Sequence, residues 1–204
     1  MKTTNSIKTI FWDFDGVLMN SNAVRDKGFE LVLEDYPKEQ VKQLMDFHQA
    51  NGGLSRYVKF RYFFEEIRGE KVTDKDIQKW ADKFSEIMMN WLINKDLLID
   101  QTINFVKENH QNYNMHIVSG SDGKELNQIC QGIDIDQYFK SIHGSPTPKK
   151  QLVADLLEKY NYELNTCMLI GDSINDYDAA ISNQIQFQAY GNDSLIKKST
   201  IEFL

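Results

Sequence analysis

The sequence predicts an α/β fold, in which a parallel sheet carries helices on both faces and an α-helical cap domain is inserted after the first strand. Three observations support this prediction. Short apolar runs typical of buried strands occur once near the N-terminus and three times in the second half of the chain. Helical spacing separates the later strands, and this alternating order is typical of a parallel sheet. The long stretch between the first strand and the others has helical periodicity alone.

The strand signals define the core domain. The four apolar runs lie at residues 7–12, 115–118, 168–170 and 185–190. Between the later runs, apolar residues recur at spacings of three and four from Leu152 to Tyr160, which predicts a helix. We therefore assign residues 1–19 and 96–204 to the α/β core.

Residues 20–95 are predicted to form the helical cap. The clearest periodicity in this stretch is an apolar and aromatic stripe at Ile77, Trp80, Ala81, Phe84, Ile87, Met88 and Trp91. We expect this stripe to form the interior of the cap. Gly52 and Gly53 lie between two helical patterns and predict a turn. Because the stretch follows the first strand and precedes the others, we expect it to cover the strand ends like a lid.

Two carboxylates stand one residue apart at the end of the first predicted strand. Asp13 and Asp15 are close enough to share a face, and two anions in a small volume repel each other unless a cation or a shared proton intervenes. The pattern predicts a metal site, an acid–base pair, or both. Ser119 and Gly120 end the second run and Asp172 follows the third. Parallel sheets bind ligands beyond the carboxyl ends of their strands, so we expect these residues to converge.

The composition favours a small-molecule partner. The chain has 204 residues, 41% of them hydrophobic, and a formal net charge of -7 with no basic run, which argues against nucleic acid as a partner. The first apolar stretch is too short for a signal peptide or a membrane span, so we expect a cytoplasmic protein with no membrane partner. Cys130 and Cys167 lie far apart and indicate neither a disulfide framework nor a zinc site.

Three short motifs follow the predicted strands in order. Asp-x-Asp-x-Val stands at residues 13–17, an apolar strand ending in Ser-Gly stands at residues 116–120, and Gly-Asp-x-x-x-Asp stands at residues 171–176. By these motifs the chain resembles the haloacid dehalogenase-like (HAD) superfamily, whose members are mostly magnesium-dependent phosphatases. The resemblance implies a Rossmann-like core, a phosphorylated small-molecule substrate and Mg²⁺ as cofactor.

The resemblance also implies catalytic roles for the aspartates. Asp13 would be the nucleophile that forms an aspartyl-phosphate, and Asp15 would act as general acid and then as general base. Asp13, the backbone carbonyl of Asp15 and the carboxylate of Asp172 would bind Mg²⁺, with Asp176 supporting the ion or ligating it directly. The family's dehalogenases lack an aspartate two positions after the nucleophile, so Asp15 favours phosphoryl chemistry. The alternative for these acids is that they only cap helices and form turns.

Phosphate binding is assigned by the same resemblance. The hydroxyl of Ser119 and the backbone N–H of Gly120 would hydrogen-bond the phosphoryl oxygens. The family's third motif is a lysine, commonly in Lys-Pro-x-Pro, but Thr147 takes that place here. Some relatives carry Gly-Ser-Pro-x-x-Lys instead, which points to Lys149, with Lys150 as the alternative.

The predicted cap contains a candidate specificity segment around the glycine turn. His48, Arg56 and Lys59 are expected to contact a second anionic group or sugar hydroxyls of the substrate. The alternative is a solvated helix face on which Arg56 and Lys59 pair with Glu65 or Glu66.

The motifs leave three functions to compare. The leading hypothesis is a magnesium-dependent phosphatase that hydrolyses a small phosphomonoester, such as a sugar or sugar-acid phosphate. A phosphomutase would use the same aspartyl-phosphate and pass the phosphoryl group to another hydroxyl of a sugar phosphate. A non-catalytic module that binds a phosphorylated ligand would keep the fold without turnover, and the intact motif set argues against it.

Arg25 either faces the substrate or lies exposed.

Overall fold

The computed structural model describes residues 6–204, and its centre is a five-stranded sheet. Every strand pairing is parallel, in the order β3-β2-β1-β4-β5. The strands are β1 (Thr9–Trp12), β2 (Asn114–Asp122), β3 (Ser141–Ser145), β4 (Cys167–Gly171) and β5 (Gln186–Ala189). Because β1 lies between β2 and β4, the carboxyl ends of these three strands are neighbours.

Helices connect and cover the strands. Within residues 6–204 the α-helices are α1 (Asn22–Val32), α2 (Lys38–Ala50), α3 (Arg56–Tyr62), α4 (Asp74–Leu92), α5 (Asp100–Asn109), α6 (Gly123–Gly132), α7 (Lys149–Tyr160), α8 (Ile174–Ser182) and α9 (Asp193–Ile196). A π-helical turn, Phe63–Ile67, extends α3.

The two faces of the sheet pack into different apolar clusters, as the alternation of side chains along a strand requires. In β1, Ile10 and Trp12 belong to a cluster that includes apolar residues of α5 and α6. Phe11 belongs to a second cluster formed with α7 and α8. All four residues of β1 are buried. The predicted fold class, a parallel sheet with helices on both faces, is therefore confirmed.

The strand count predicted from the sequence is too low. Four strands were expected, but Ser141–Ser145 forms a fifth, β3, at the edge of the sheet beside β2. Its sequence, Ser-Ile-His-Gly-Ser, contains one aliphatic residue, and most of the strand is only half-buried. An edge strand with this exposure needs no apolar run, so periodicity could not reveal it.

The stretch between β1 and α5 is helical. The longest helix, α4, begins with a capping box between Thr73 and Asp76 and buries one apolar face. The buried members of the predicted stripe are Ile77, Ala81, Phe84 and Met88, whereas Trp91 is exposed. The division into domains at residues 20 and 95 stays a prediction. Within residues 6–204 we find no helix with the length and apolar character needed to cross a bilayer.

Candidate active site

A cavity of about 470 Å³ lies at the carboxyl ends of β1, β2 and β4. Its lining joins residues that follow these strands with residues of α1, α2 and α3. We call the side formed by residues at the carboxyl ends of β1, β2 and β4 the core wall, and the side formed by residues of α1, α2 and α3 the cap wall. The predicted convergence of polar residues at this edge of the sheet is therefore observed.

Three carboxylates form a group at the core wall, and two of them, Asp13 and Asp172, line the cavity. Asp13 follows β1, Asp172 follows β4 and Asp176 lies in the first turn of α8, and one oxygen of each lies within 4.8 Å of the others. Burial, followed by the charge of Asp176, raises the pKa of Asp13 well above its usual range. The same two causes raise the pKa of Asp172 to about 6. Three acids in this arrangement need a compensating cation.

Lys149 supplies one positive charge to this group. Its Nζ lies 2.8 Å from Asp13 Oδ1 and also contacts Asp176 Oδ1. Burial alone would lower the pKa of Lys149, but the charges of Asp13 and Asp176 raise it above its usual value. Lys149 is 2% exposed, whereas Lys150 is exposed. Of the two candidate lysines, the structure brings Lys149 to the site.

Asp176 is tied to the protein on both oxygens. Besides the contact of Oδ1 with Lys149, its Oδ2 accepts hydrogen bonds from the backbone N–H of Ser173 at 3.0 Å and from the Ser173 hydroxyl at 2.6 Å. These bonds complete the N-terminal cap of α8. The position of Asp176 therefore favours support of the cluster from behind Asp13 and Asp172.

The Asp15 carboxylate lies in a different environment from Asp13. Its Oδ1 accepts from Arg25 Nε at 2.9 Å and from the Ser21 hydroxyl, and its Oδ2 accepts from the Ser121 hydroxyl at 2.5 Å. Burial opposes ionisation, but the charge of Arg25 and these hydrogen bonds lower the pKa of Asp15 below its usual value. β1 ends at Trp12, so strict strand alternation does not reach Asp15, and its side chain is not in the three-carboxylate group.

Ser119 and Gly120 line the cavity, but the predicted end of the strand at these residues is wrong, because β2 runs on to Asp122. Gly120 packs directly against the cap wall, because a Cβ atom at this position would overlap the backbone oxygen of Gly53. The Gly53 oxygen also accepts from Asn175 Nδ2 at 3.0 Å. The predicted turn at Gly52 and Gly53 is confirmed, and it closes over the ends of β2 and β4.

The cap wall contains all three predicted specificity residues, His48, Arg56 and Lys59. The proposed pairing of Arg56 with Glu65 or Glu66 is wrong. Arg56 instead donates from Nη1 and Nη2 to the two carboxylate oxygens of Glu125, at 2.6 and 2.9 Å. It is buried rather than solvated.

Glu125 was not foreseen, and of the two alternatives for Arg25 the exposed one is wrong, because Arg25 lines the cavity. Arg25 is 6% exposed, and its Nη1 donates to Glu125 Oε1 at 2.5 Å while its Nε holds Asp15. Glu125 therefore joins two arginines from helices that are far apart in sequence. The sequence feature that could have identified Glu125 is its place in the first turn of α6, the helix that follows β2. Residues in the first turn of a helix after a strand lie near the carboxyl end of the sheet.

A family model described as haloacid dehalogenase-like hydrolase matches residues 7–183, which is most of the chain. No curated protein matches the chain in sequence.

Solved structures share the fold. A predicted phosphatase from Clostridium acetobutylicum has a TM-score of 0.74 at 16% identity, over 98% of this chain and 93% of that protein. A predicted phosphoglycolate phosphatase from Haemophilus somnus has a TM-score of 0.70 at 19% identity, over 90% and 84% of the two chains. The HAD-hydrolase YfnB from Bacillus subtilis, bound to magnesium, has a TM-score of 0.66 at 16% identity, over 90% and 86%.

Proposed function

The chain belongs to the haloacid dehalogenase-like hydrolase family, and on this premise we propose that it is a magnesium-dependent phosphatase acting on a small phosphomonoester. The observation that carries the proposal is the buried contact of Lys149 with Asp13 and Asp176 beside Asp172. This arrangement offers an aligned carboxylate together with charges that can neutralise a phosphoryl group, which are the two requirements of phosphoryl transfer.

The core wall fits a divalent cation. Three carboxylates face one ammonium group, so the group keeps a surplus of two negative charges when all are ionised. Burial and the charge of Asp176 raise the pKa values of Asp13 and Asp172, and a bound cation would favour their ionised forms. Carboxylate oxygens are preferred ligands of Mg²⁺. We propose that Asp13, Asp172 and the backbone carbonyl of Asp15 hold the ion, with Asp176 in support; bound Mg²⁺ would offset the negative charge of the phosphoryl group.

Asp13 is the proposed nucleophile. Its Oδ1 accepts from Lys149 and from the backbone N–H of Phe14, both at 2.8 Å, so the carboxylate is oriented from one side. A carboxylate oxygen of Asp13 would form a bond to phosphorus while the bond from phosphorus to the leaving oxygen breaks, giving an aspartyl-phosphate. Ser119, the Gly120 N–H and Lys149 would bind the other phosphoryl oxygens.

Asp15 would move the protons. In the first half-reaction it would donate a proton to the leaving oxygen, and in the second it would accept one from the water that attacks phosphorus, which releases phosphate and restores Asp13. Arg25 and Ser121 keep the pKa of Asp15 low, which favours the ionised form that acts as base in the second half-reaction. The proton that Asp15 donates in the first half-reaction would be taken up when the substrate binds. We further propose that residues 20–95 act as a cap that excludes bulk water and selects the leaving group.

Phosphate release from a panel of phosphomonoesters tests the proposal. We expect release that requires Mg²⁺, stops with EDTA, and falls at least about a thousandfold in Asp13→Asn, as for loss of a nucleophile. The matched control is Asp178→Asn, which changes an exposed aspartate of α8. Metal-independent release, or release retained in Asp13→Asn, would overturn the proposal. Isomerisation of a sugar phosphate without phosphate release would identify a mutase instead.

A further inference from the structure

Resting on the proposed function and deepening it, we propose that the cap wall binds a second anionic group of the substrate, a carboxylate or another phosphoryl group, through Lys59 Nζ and Arg25 Nη2. The substrate class is then a phosphomonoester that carries a further anion on its leaving group.

Lys59 is a buried cation with no counterion of its own. It lines the cavity, is 3% exposed, and across residues 6–204 makes no hydrogen bond or ion pair through Nζ. Its nearest aromatic neighbour is the ring of Phe29, with Nζ 5.7 Å from the centroid. Burial lowers the pKa of Lys59 to about 8, which leaves it mostly charged at neutral pH. Because Lys59 lines the cavity and its ammonium has no ion pair over residues 6–204, an anionic group of a ligand can supply the counterion.

Arg25 contributes a second free donor to the same cavity. Nε and Nη1 hold Asp15 and Glu125, but Nη2 is buried and, within the described chain, has no hydrogen-bond partner. A guanidinium fixed on two edges presents its remaining N–H group in a set direction. It is therefore oriented for a carboxylate or phosphoryl oxygen before the substrate arrives.

Direct ion pairs on the cap wall leave Lys59 without a partner in the described part of the chain. Glu125 and Asp15 compensate Arg25 and Arg56 through direct ion pairs. Asp15 and Asp26 act on Lys59 through their charges but make no ion pair with it in the described chain. Asp26 is held instead by His48, whose Nε2 lies 2.7 Å from Asp26 Oδ1.

His48 adds a second feature to the same pocket. With Nε2 bonded to Asp26, its Nδ1 is buried and has no partner among residues 6–204. In the neutral ring whose Nε2–H donates to Asp26, Nδ1 is an acceptor that suits a substrate hydroxyl. The cap wall therefore offers a cationic pair and one neutral acceptor, which matches an anion with an adjacent hydroxyl group.

Matched substrates measure the contribution of the second anion. We would compare 3-phosphoglycerate with glycerol 3-phosphate, which lacks the carboxylate, and fructose 1,6-bisphosphate with fructose 1-phosphate. We expect kcat/KM to favour the doubly anionic member by about 10- to 100-fold in one pair, the effect of a charge-assisted hydrogen bond. The pair that shows the preference identifies the anion as carboxylate or phosphoryl.

Lys59 variants then assign the preference. Lys59→Met is expected to reduce it at least tenfold, chiefly through a higher KM for the doubly anionic member, and Lys59→Arg to retain most of it. Lys59→Met is also expected to raise the melting temperature, because it removes an uncompensated buried charge. The control is Lys75→Met, which changes an exposed lysine of α4. Equal kcat/KM within both pairs, or an equal loss on both members in Lys59→Met, would overturn the inference.

A binding measurement separates this inference from the proposed function. In calorimetry with Mg²⁺ present, 3-phosphonopropionate should bind at least tenfold more tightly than propylphosphonate, and Lys59→Met should remove the difference. Equal affinities would refute the second-anion site even if phosphate is released. A tenfold difference without phosphate release from any substrate would support the site and refute the phosphatase.

Discussion

The two walls of the cavity have opposite electrostatic needs. On the core wall, Asp13, Asp172 and Asp176 outnumber Lys149, and the pKa values of Asp13 and Asp172 are raised. On the cap wall, Arg25, Arg56 and Lys59 outnumber the acids that pair with them, and the pKa of Lys59 is lowered. The core wall lacks a cation, and on the cap wall Lys59 lacks an ion-pair partner among the described residues. The comparison teaches that a single ligand set, a divalent ion plus a doubly anionic substrate, would satisfy both.

The walls are joined by ion pairs rather than by apolar packing alone. Asp15 and Glu125 come from the core, and both are held by Arg25 of α1, while Arg56 of α3 binds Glu125. The two ion pairs of Glu125 are buried and that of Arg25 with Asp15 is partly buried. Removing one partner of a buried pair leaves an uncompensated charge. The ionisation of Asp15 is therefore tied to the position of Arg25 in α1.

Asp15→Asn tests the residue at which the two walls meet, and it carries the largest expected effect. We expect kcat for an alkyl phosphate to fall by about 10²- to 10⁴-fold, as for loss of a general acid–base. p-Nitrophenyl phosphate has a leaving group that needs no proton, so the aspartyl-phosphate should still form and should accumulate because its hydrolysis lacks a base. Mass spectrometry of the acid-quenched protein measures this. An unchanged rate of aspartyl-phosphate breakdown would exclude the base role of Asp15.

Glu125→Gln removes the negative charge that pairs with Arg25 and Arg56. It leaves the charges of Arg25 and Arg56 buried without their main anion, so we expect the free energy of unfolding to fall by about 3–5 kcal/mol. Urea denaturation measures the change. The exposed Glu158 provides the control, since Glu158→Gln should change the free energy of unfolding by less than about 0.5 kcal/mol.

A double variant sharpens this result. In the Glu125→Gln background, Arg56→Met removes one of the two stranded cations, and we expect it to recover part of the lost free energy of unfolding. If Arg56→Met lowers stability further, Arg56 stabilises the protein through packing on Phe84, whose ring lies 4.4 Å below its guanidinium, rather than through Glu125.

Asp172→Asn tests the core wall and has the smallest expected effect. The pKa of Asp172 rises from 3.8 to about 6 on folding, so the folded state binds more protons between these pH values and loses stability as pH rises through them. In EDTA at pH 8, Asp172→Asn should therefore raise the free energy of unfolding, on the order of 1–3 kcal/mol. The gain should be absent near pH 4.

Magnesium provides the contrast for this variant. Mg²⁺ should raise the melting temperature of the wild-type protein and of Asp178→Asn, because binding to the folded state stabilises it, and should do so much less in Asp172→Asn. Differential scanning fluorimetry at both pH values measures these shifts. A less stable Asp172→Asn protein at pH 8 in EDTA would show that the carboxylates are compensated without a metal.

The residues of the core wall could be predicted from the sequence, because the proposed chemistry requires particular residue types at the carboxyl ends of particular strands. Asp13, Ser119 and Asp172 follow apolar strands, and short motifs locate them without knowledge of the rest of the fold. Lys149 was harder to identify, because its motif departs from the common form. Its preference over Lys150 follows physically from the helix, since consecutive residues of α7 point in different directions and only Lys149 faces Asp13.

The cap wall was only partly predictable. His48, Arg56 and Lys59 were identified as lining residues, but the partner of Arg56 was wrong. The predicted partners, Glu65 and Glu66, lie in the same stretch of sequence as Arg56, whereas Glu125 lies 69 residues further along the chain. Long-range ion pairs leave no local pattern. The edge strand β3 was missed for a related reason, since half-exposed residues carry little periodicity.

The backbone contact between Gly53 and Gly120 limits how this protein can be redesigned. Gly53 has a φ of 82°, and a Cβ on it would lie 2.6 Å from Ser173 Oγ, while Gly120 has no room for a side chain beneath the Gly53 oxygen. Neither position can be randomised without displacing the turn. A library aimed at new substrates should therefore keep both glycines and vary the side chains at positions 48 and 59, where the cavity itself provides the space.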